Sequence, residues 1–185
     1  MHLFDAAGER KYLTPAQRQQ FLEAADKAAC EVFTFCGTLA YTGCRISEAL
    51  GLTGQRVDFD AGKVIIESLK QRRRGVFRAV PVPPEFLRIL YDVHDLGVPG
   101  EGRLWTWSRT TAWRRVKEVM DLAGIEGLYA TPKGVRHGFG IKAIVSKVPI
   151  TMAQKWMGHA RLETTAIYTN AVGPEEQEIA ARMWR

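Results

Sequence analysis

The stretch from Val32 to Gly43 constrains the fold more than any other part of the chain. Val32, Phe33, Phe35, Cys36, Leu39 and Ala40 place apolar side chains almost all the way round a helix, so this element needs neighbours on every side and predicts a buried central helix. Gly43 supplies a left-handed stop for it, and Arg45 follows at once, which puts a cation at the mouth of the core. Before it, Thr14-Pro15 reads as an N-cap followed by proline at the first helical position, opening a helix to about Lys27. From Val57 the period falls to two. Val57 and Phe59, a turn at Asp60-Ala61-Gly62, and Val64, Ile65 and Ile66 form one strand pair; a second strand, Val76 to Val82, returns after the polar segment Lys70 to Gly75. The remainder reads as helices at Glu85 to about Leu96, Ser108 to about Ala123, Gly134 to Ser146, Thr151 to Met157, a short one before Tyr168, and Pro174 to Arg185. The expected class is mainly α with a small antiparallel β-sheet, α+β.

At 185 residues, with 46% hydrophobic and 25% charged residues, the chain fits one domain with its own core. The balance of 26 Lys plus Arg against 20 Asp plus Glu, a net charge of +6, favours an anionic partner without choosing among nucleic acid, lipid and acidic protein. Cys30, Cys36 and Cys44 lack C-x-x-C spacing, so they predict reduced, buried thiols in a cytoplasmic protein and no zinc site. Neither a signal peptide nor an apolar run of membrane-spanning length is present, so a soluble protein is expected.

The chemistry lies in a few polar residues and their order. Arg45-x-x-Glu48 places a carboxylate within reach of the guanidinium on a short helix, Lys133-x-x-Arg136 repeats the three-residue step, and Gly158-His159 precedes Tyr168 by nine residues. A tyrosine with dispersed cations can attack a phosphodiester without a metal: the phenol oxygen is the nucleophile and the cations hold the growing charge. Ionising a phenol of pKa about 10 at neutral pH costs roughly 4 kcal/mol. Two guanidiniums, each worth on the order of 3 to 4 kcal/mol as preorganised donors, outweigh that. The leaving 5′ oxygen needs a proton, and Lys70, on the expected hairpin tip, is the better-placed ammonium; Lys63 opens a strand and is less favourable. His159, after the flexible Gly158, is placed to hydrogen bond a phosphate oxygen or the phenol.

Four blocks in this order, Thr42-Gly43-Cys44-Arg45-Ile46-Ser47-Glu48, the Lys70 hairpin running into Val80-Pro81, Lys133-Gly134-Val135-Arg136-His137-Gly138-Phe139, and Gly158-His159 through Thr164-Thr165 to Tyr168, resemble the catalytic domain of the tyrosine recombinase, or phage integrase, family. The resemblance covers nearly everything from Tyr12 onward. It implies that Tyr168 forms a 3′-phosphotyrosyl link, that Arg45, Arg136 and His159 hold the scissile phosphate, that Lys70 protonates the leaving oxygen and that Glu48 supports the site, with no metal or other cofactor. Most members have histidine where this chain has Lys133. Lysine cannot readily serve as a neutral base but can contact phosphate, so the acceptor of the Tyr168 proton stays open. His137 is the nearest other imidazole, turned by about 100° from Arg136 on a helix.

The resemblance also sets the expected organisation: residues 1–11 a leader or linker, residues 12–185 the catalytic domain, and the family's N-terminal core-binding domain absent from this sequence, the chain being either a piece of a longer protein or one of the small recombinases. Arg72, Arg73, Arg74, Arg78, Arg114, Arg115 and Lys117 are the expected phosphate contacts, and double-stranded DNA the expected partner. The protein is expected to be a monomer when free and a homotetramer when synapsed on DNA. The last segment, with Ile179, Ala180, Met183 and Trp184 at helical spacing, either packs on its own domain or docks into a neighbouring protomer. Three functions fit these residues: a site-specific recombinase working through a Holliday junction, a non-catalytic DNA-binding protein, and type IB topoisomerase-like relaxation.

Overall fold

The computed structural model describes residues 3–69, 75–97, 102–170 and 174–184. Helix α1 (Pro15–Asp26) opens with the capping box that Thr14 and Gln17 make with each other's backbone. Helix α2 (Cys30–Thr42) is the central element: Phe35, Cys36, Leu39 and Ala40 are fully buried among α1, α4 (Pro84–Val93) and α6 (Pro132–Val145). The buried hydroxyls of Thr38 and Thr42 cost little there, because each donates to the carbonyl four residues back, at 2.8 and 2.6 Å.

Gly43 closes α2 at φ 62, and a side chain there would strike the Phe139 ring of α6 at 2.5 Å. Only glycine satisfies both the left-handed turn and the close approach. The chain then enters α3 (Ile46–Ala49) with Arg45 as its N-cap residue.

Strands β1 (Val57–Asp58), β2 (Lys63–Glu67) and β3 (Phe77–Pro81) form one antiparallel sheet in the order β1-β2-β3, with Val64 opposite Val80 and Glu67 opposite Phe77. Its inner face carries Val64, Ile66, Arg78 and Val80. Arg78 therefore points into the protein. The expected strand pair, its turn and its return all form, and α5 (Arg109–Leu122) has the expected Ser108 cap, accepting from the Thr111 N–H at 3.0 Å. Among the boundaries that shift, two have a local cause. Helix α4 stops at Val93, three residues short of the expected end, where Asp95 turns left-handed at φ 48. Helix α6 starts two residues early, at Pro132, because Thr131 caps it through the Gly134 N–H.

The described part of the expected leader, residues 3–11, is folded onto the domain. The Asp5 carboxylate accepts from the N–H groups of Ala7 and Glu9, Lys11 N–H donates to the Leu3 carbonyl at 2.7 Å, and Leu3 is buried. A local turn of this kind carries no periodicity, which is why the sequence shows none. Leu3 joins Tyr12, Ile141, Val145, Met157 and Tyr168 in a second, smaller apolar cluster. Helix α7 (Ile150–Met157), α8 (Glu163–Ala166) and a 3₁₀ turn over Ile167–Asn170 complete the frame around it. Helix α9 (Pro174–Ala180) packs on α6 of its own domain, with Ile179 against the small cluster and Arg182 donating to the Val145 carbonyl; Met183 stays exposed. Cys36 and Cys44 are buried as expected, but Cys30, at the first turn of α2, is exposed. Among the described residues no helix is long and apolar enough to cross a membrane, and no three His, Cys, Asp or Glu side chains converge.

Candidate active site

Glu48 organises the first half of the site. Its Oε1 accepts from Arg45 Nη1 at 2.8 Å, and its Oε2 accepts from the Arg45 backbone N–H at 2.9 Å and from Arg78 Nη2 at 2.6 Å. Burial pushes its carboxyl pKa up, but the Arg78 and Arg45 charges and hydrogen bonds outweigh this and hold it below the ordinary carboxylate range. Arg78 also donates to the Trp156 carbonyl and to Ser68 Oγ, both at 2.8 Å. All three donor nitrogens of this guanidinium are thus spent on the protein, tying sheet to α3 and α7. Arg78 is a buried strut, not one of the surface phosphate contacts expected from the sequence. Strand parity with buried Val80 is the signal that could have shown it.

Arg136 forms the second half. Buried on α6, it donates to the Gly43 carbonyl through Nη1 and to the Met157 carbonyl through Nη2 at 2.8 Å, which bridges the turn before Arg45 to the end of α7. Among the described residues no carboxylate is bonded to it. Burial, then the neighbouring charge of Arg45, pull its pKa down to about 10.

Gly158 ends α7 at φ 65, and this left-handed turn leads the chain into His159. His159 is buried; Nδ1 lies 2.9 Å from the Thr165 hydroxyl, and Nε2 has no partner among the described residues. Burial and the charges of Arg136 and Arg45 push its pKa to about 3, so the ring is neutral at pH 7. Arg45 and His159, with Ser68, Arg161 and Thr164, line an open cavity of about 230 Å³. The ring of Tyr168 stacks against that of His159, 6.3 Å between centroids and 13° between planes.

Tyr168 itself is fully buried. Gly140 makes room for its ring, since a Cβ there would lie 2.5 Å from it. The phenol oxygen sits 3.1 Å from His137 Nδ1, and burial raises its pKa to about 12 despite the opposing charges of Arg136 and Arg45. His137 is also buried, with no partner for Nε2 among the described residues, and burial, then Lys133 and Arg136, lower its pKa to about 4. The sequence marked His137 only as an alternative imidazole facing away from Arg136; its contact with the tyrosine depends on how the 3₁₀ turn lands on α6, which spacing alone does not contain.

Among the other expected residues, Lys133 is exposed at the first turn of α6 and does not line the cavity. Lys63 is exposed at the start of β2. Lys70, Arg72, Arg73 and Arg74 lie outside the described residues. Arg114, Arg115 and Lys117 are on the outer side of α5, where Arg114 and Arg115 pair with Glu118 and Lys117 with Asp121. Such surface pairs are worth little and yield readily to phosphate. Arg161 and Ser68 were not anticipated; Arg161 stands only two residues beyond His159, and that nearness was the available clue.

The two histidines give a stability prediction. Both are neutral in the fold at pH values where the unfolded imidazole, pKa about 6.5, begins to bind a proton. A lowered folded pKa means the unfolded state takes up more protons, so stability is full above about pH 6.5 and falls as pH drops toward 4 and 3. Each histidine should contribute about 1.4 kcal/mol per pH unit over its window. Denaturant unfolding between pH 8 and 4.5 checks this, and a His137→Gln variant should have the shallower slope.

A profile of the phage integrase family matches residues 11–173. Among curated proteins, tyrosine recombinase XerA of Pyrococcus furiosus is 27% identical over 181 residues, covering 93% of this chain and 61% of the relative. XerD of Mycobacterium leprae is 35% identical over 144 residues, 69% of this chain and 44% of the relative. XerD of Yersinia pestis is 30% identical over 161 residues, 80% and 50%. This chain thus spans between 44% and 61% of the length of these relatives. In structure it is similar to the XerA recombinase crystal structure, with a TM-score of 0.81 at 25% identity over 93% of this chain and 64% of that one. The catalytic domain of bacteriophage HP1 integrase, at 22% identity, shares the fold over 92% of this chain and 93% of that one, TM-score 0.66. With a profile spanning residues 11–173, most of its length, the chain belongs to the phage integrase family.

Proposed function

We propose that this domain is the catalytic part of a site-specific DNA recombinase that cuts and rejoins duplex DNA through a 3′-phosphotyrosyl intermediate. The carrying observation is the buried Arg136 guanidinium, beside Arg45 and a neutral His159, with no carboxylate bonded to it. That arrangement wants a phosphate. In the forward step the Tyr168 oxygen bonds to phosphorus as the bond from phosphorus to the 5′ oxygen breaks; the phenol proton passes to solvent water, and the leaving oxygen takes one from Lys70, which recovers it from solvent. Rejoining reverses each transfer, so the ester keeps the bond energy and no external energy source enters. Two rounds on paired sites pass through a Holliday junction.

The resting arrangement is not yet the attacking one. A phenol at about 12 costs roughly 7 kcal/mol to ionise at pH 7, and passing its proton fully to His137 at about 4 costs on the order of 11 kcal/mol. His137 therefore stores the phenol, and Tyr168 gives up its proton after its ring leaves the apolar bed and meets the phosphate between Arg45 and Arg136. Those guanidiniums, at 3 to 4 kcal/mol each on the order-of-magnitude scale for preorganised donors, match the ionisation cost. Lys133 serves as a phosphate contact, as do Arg114, Arg115, Lys117 and the hairpin residues Arg72, Arg73 and Arg74. The free protein is a monomer, and four copies assemble on two DNA sites, where α9 exchanges between neighbours.

A nicked duplex that traps the covalent step is the test. The protein should form an adduct resistant to denaturation, and Tyr168→Phe should form none while still binding DNA. An adduct that persists in Tyr168→Phe, or none from the parent protein on any duplex it binds, overturns the proposal. Plasmids carrying one or two sites separate exchange from simple relaxation.

A further inference from the structure

The cavity that holds Arg45 and His159 does not end at them. A second open cavity, of about 320 Å³, lies between β3 and α7 and is lined by Phe77, Gln154 and Lys155; it shares Ser68, Gly158 and His159 with the first. The two make one trough that passes over His159. Lys155 stands at one end, and Arg161 belongs to the other. Both are exposed, and neither side chain makes an ion pair or hydrogen bond with any described residue. In this they differ from Arg45 and Arg78, which Glu48 holds. No described Asp or Glu lines either cavity.

A trough with Lys155 in one part and Arg45 and Arg161 in the other, and no described carboxylate lining it, suits a ligand with several regularly spaced negative charges better than one isolated anion. A nucleic-acid strand is that ligand. We infer that Lys155 and Arg161 each grip one of the two phosphates flanking the scissile phosphate on the cleaved strand. The identity of the central phosphate rests on the function proposed above. Held on both sides, the strand cannot swivel about the scissile position, so the phosphorus is presented to the tyrosine in one orientation, the kind of positioning that lowers a bimolecular barrier. The two grips differ in kind: Arg161 can bond two oxygens in a plane, and Lys155 acts as a point charge. Arg161→Lys should therefore recover only part of what Arg161→Gln loses, while Lys155→Arg should bind as well as the parent.

The test uses equilibrium binding by the Tyr168→Phe protein to a duplex selected by binding from a random-sequence library, with each phosphate of one strand replaced in turn by a neutral methylphosphonate. Three adjacent positions should each lower affinity about tenfold, the scale of a hydrogen bond to a charged group. Arg161→Gln should lose about as much on the unmodified duplex and become insensitive to one outer position only. Lys155→Gln should do the same at the other outer position. Each variant should also reduce the slope of log affinity against log salt by about 1. Both variants change exposed side chains, so folding is not at issue. The inference is overturned if either variant keeps the parent affinity and salt slope, or stays sensitive at all three positions. Adduct formation with Tyr168 intact separates the two claims: the positional pattern without an adduct leaves this inference standing and removes strand cleavage, whereas an adduct with unchanged binding by both variants does the reverse.

Discussion

Arg136→Ala is expected to slow covalent adduct formation by on the order of 10²- to 10³-fold at saturating DNA, with a much smaller change in thermal stability. The rate falls because this guanidinium is held ready by two backbone carbonyls, so it meets the developing phosphoryl charge without reorganising. Stability changes little because two effects oppose: the Gly43 and Met157 carbonyls lose their donor, but a buried cation whose pKa is pulled to about 10 is also removed. Arg136→Lys should not rescue the rate, since one ammonium cannot span both carbonyls and still face a phosphate. Single-turnover kinetics with thermal unfolding measure both quantities. Equal proportional losses in both would mean that the side chain serves the fold rather than the reaction.

Glu48→Ala should have the opposite profile, with stability lost first. It strips one carboxylate from two guanidiniums, one of them the buried Arg78, and breaking a buried pair from one side costs about 3 to 5 kcal/mol. For a domain of this size that is a fall of roughly 10 °C in Tm. Activity should fall as well, because Arg45 loses the partner that aims it. Glu48→Gln keeps the shape and some of the hydrogen bonds, so its loss should be smaller. The same carboxylate gives an acid dependence: its folded pKa is depressed, so its contribution is complete above the unfolded carboxylate pKa and disappears as pH falls through the folded one. Glu48→Gln should lack that part of the acid sensitivity.

How much of this was legible depended on whether the information was local. Helix α2 was readable because an all-round apolar pattern suits a helix enclosed on every side and little else, and Gly43 because a helix stop before Arg45 needs a left-handed residue. The Arg45 to Glu48 bond followed from a three-residue step on a helix, and the sheet from its change of period. Arg78 was misplaced because a basic residue beside a basic hairpin was read by charge, while its strand parity, set by Val80, pointed inward. The carboxylate bond that holds it crosses 30 residues of sequence. His137 against Tyr168 is similar, a contact across 31 residues that depends on where a 3₁₀ turn lands. Residues 3–11 lacked a pattern because their order comes from one Asp5 turn and one buried leucine, not from a repeating face.

Leu3 and the nucleophile lie in one small apolar nest, with Ile141, Val145 and Met157 completing its walls. In the proposed attack the departing Tyr168 ring would leave those walls facing a void, and the depth of that penalty would be set in part by a residue at the opposite end of the chain. Trimming Leu3 to alanine therefore loosens the resting position of the ring and lowers the energy needed to leave it. Whatever holds or pulls the first few residues adjusts the readiness of the nucleophile.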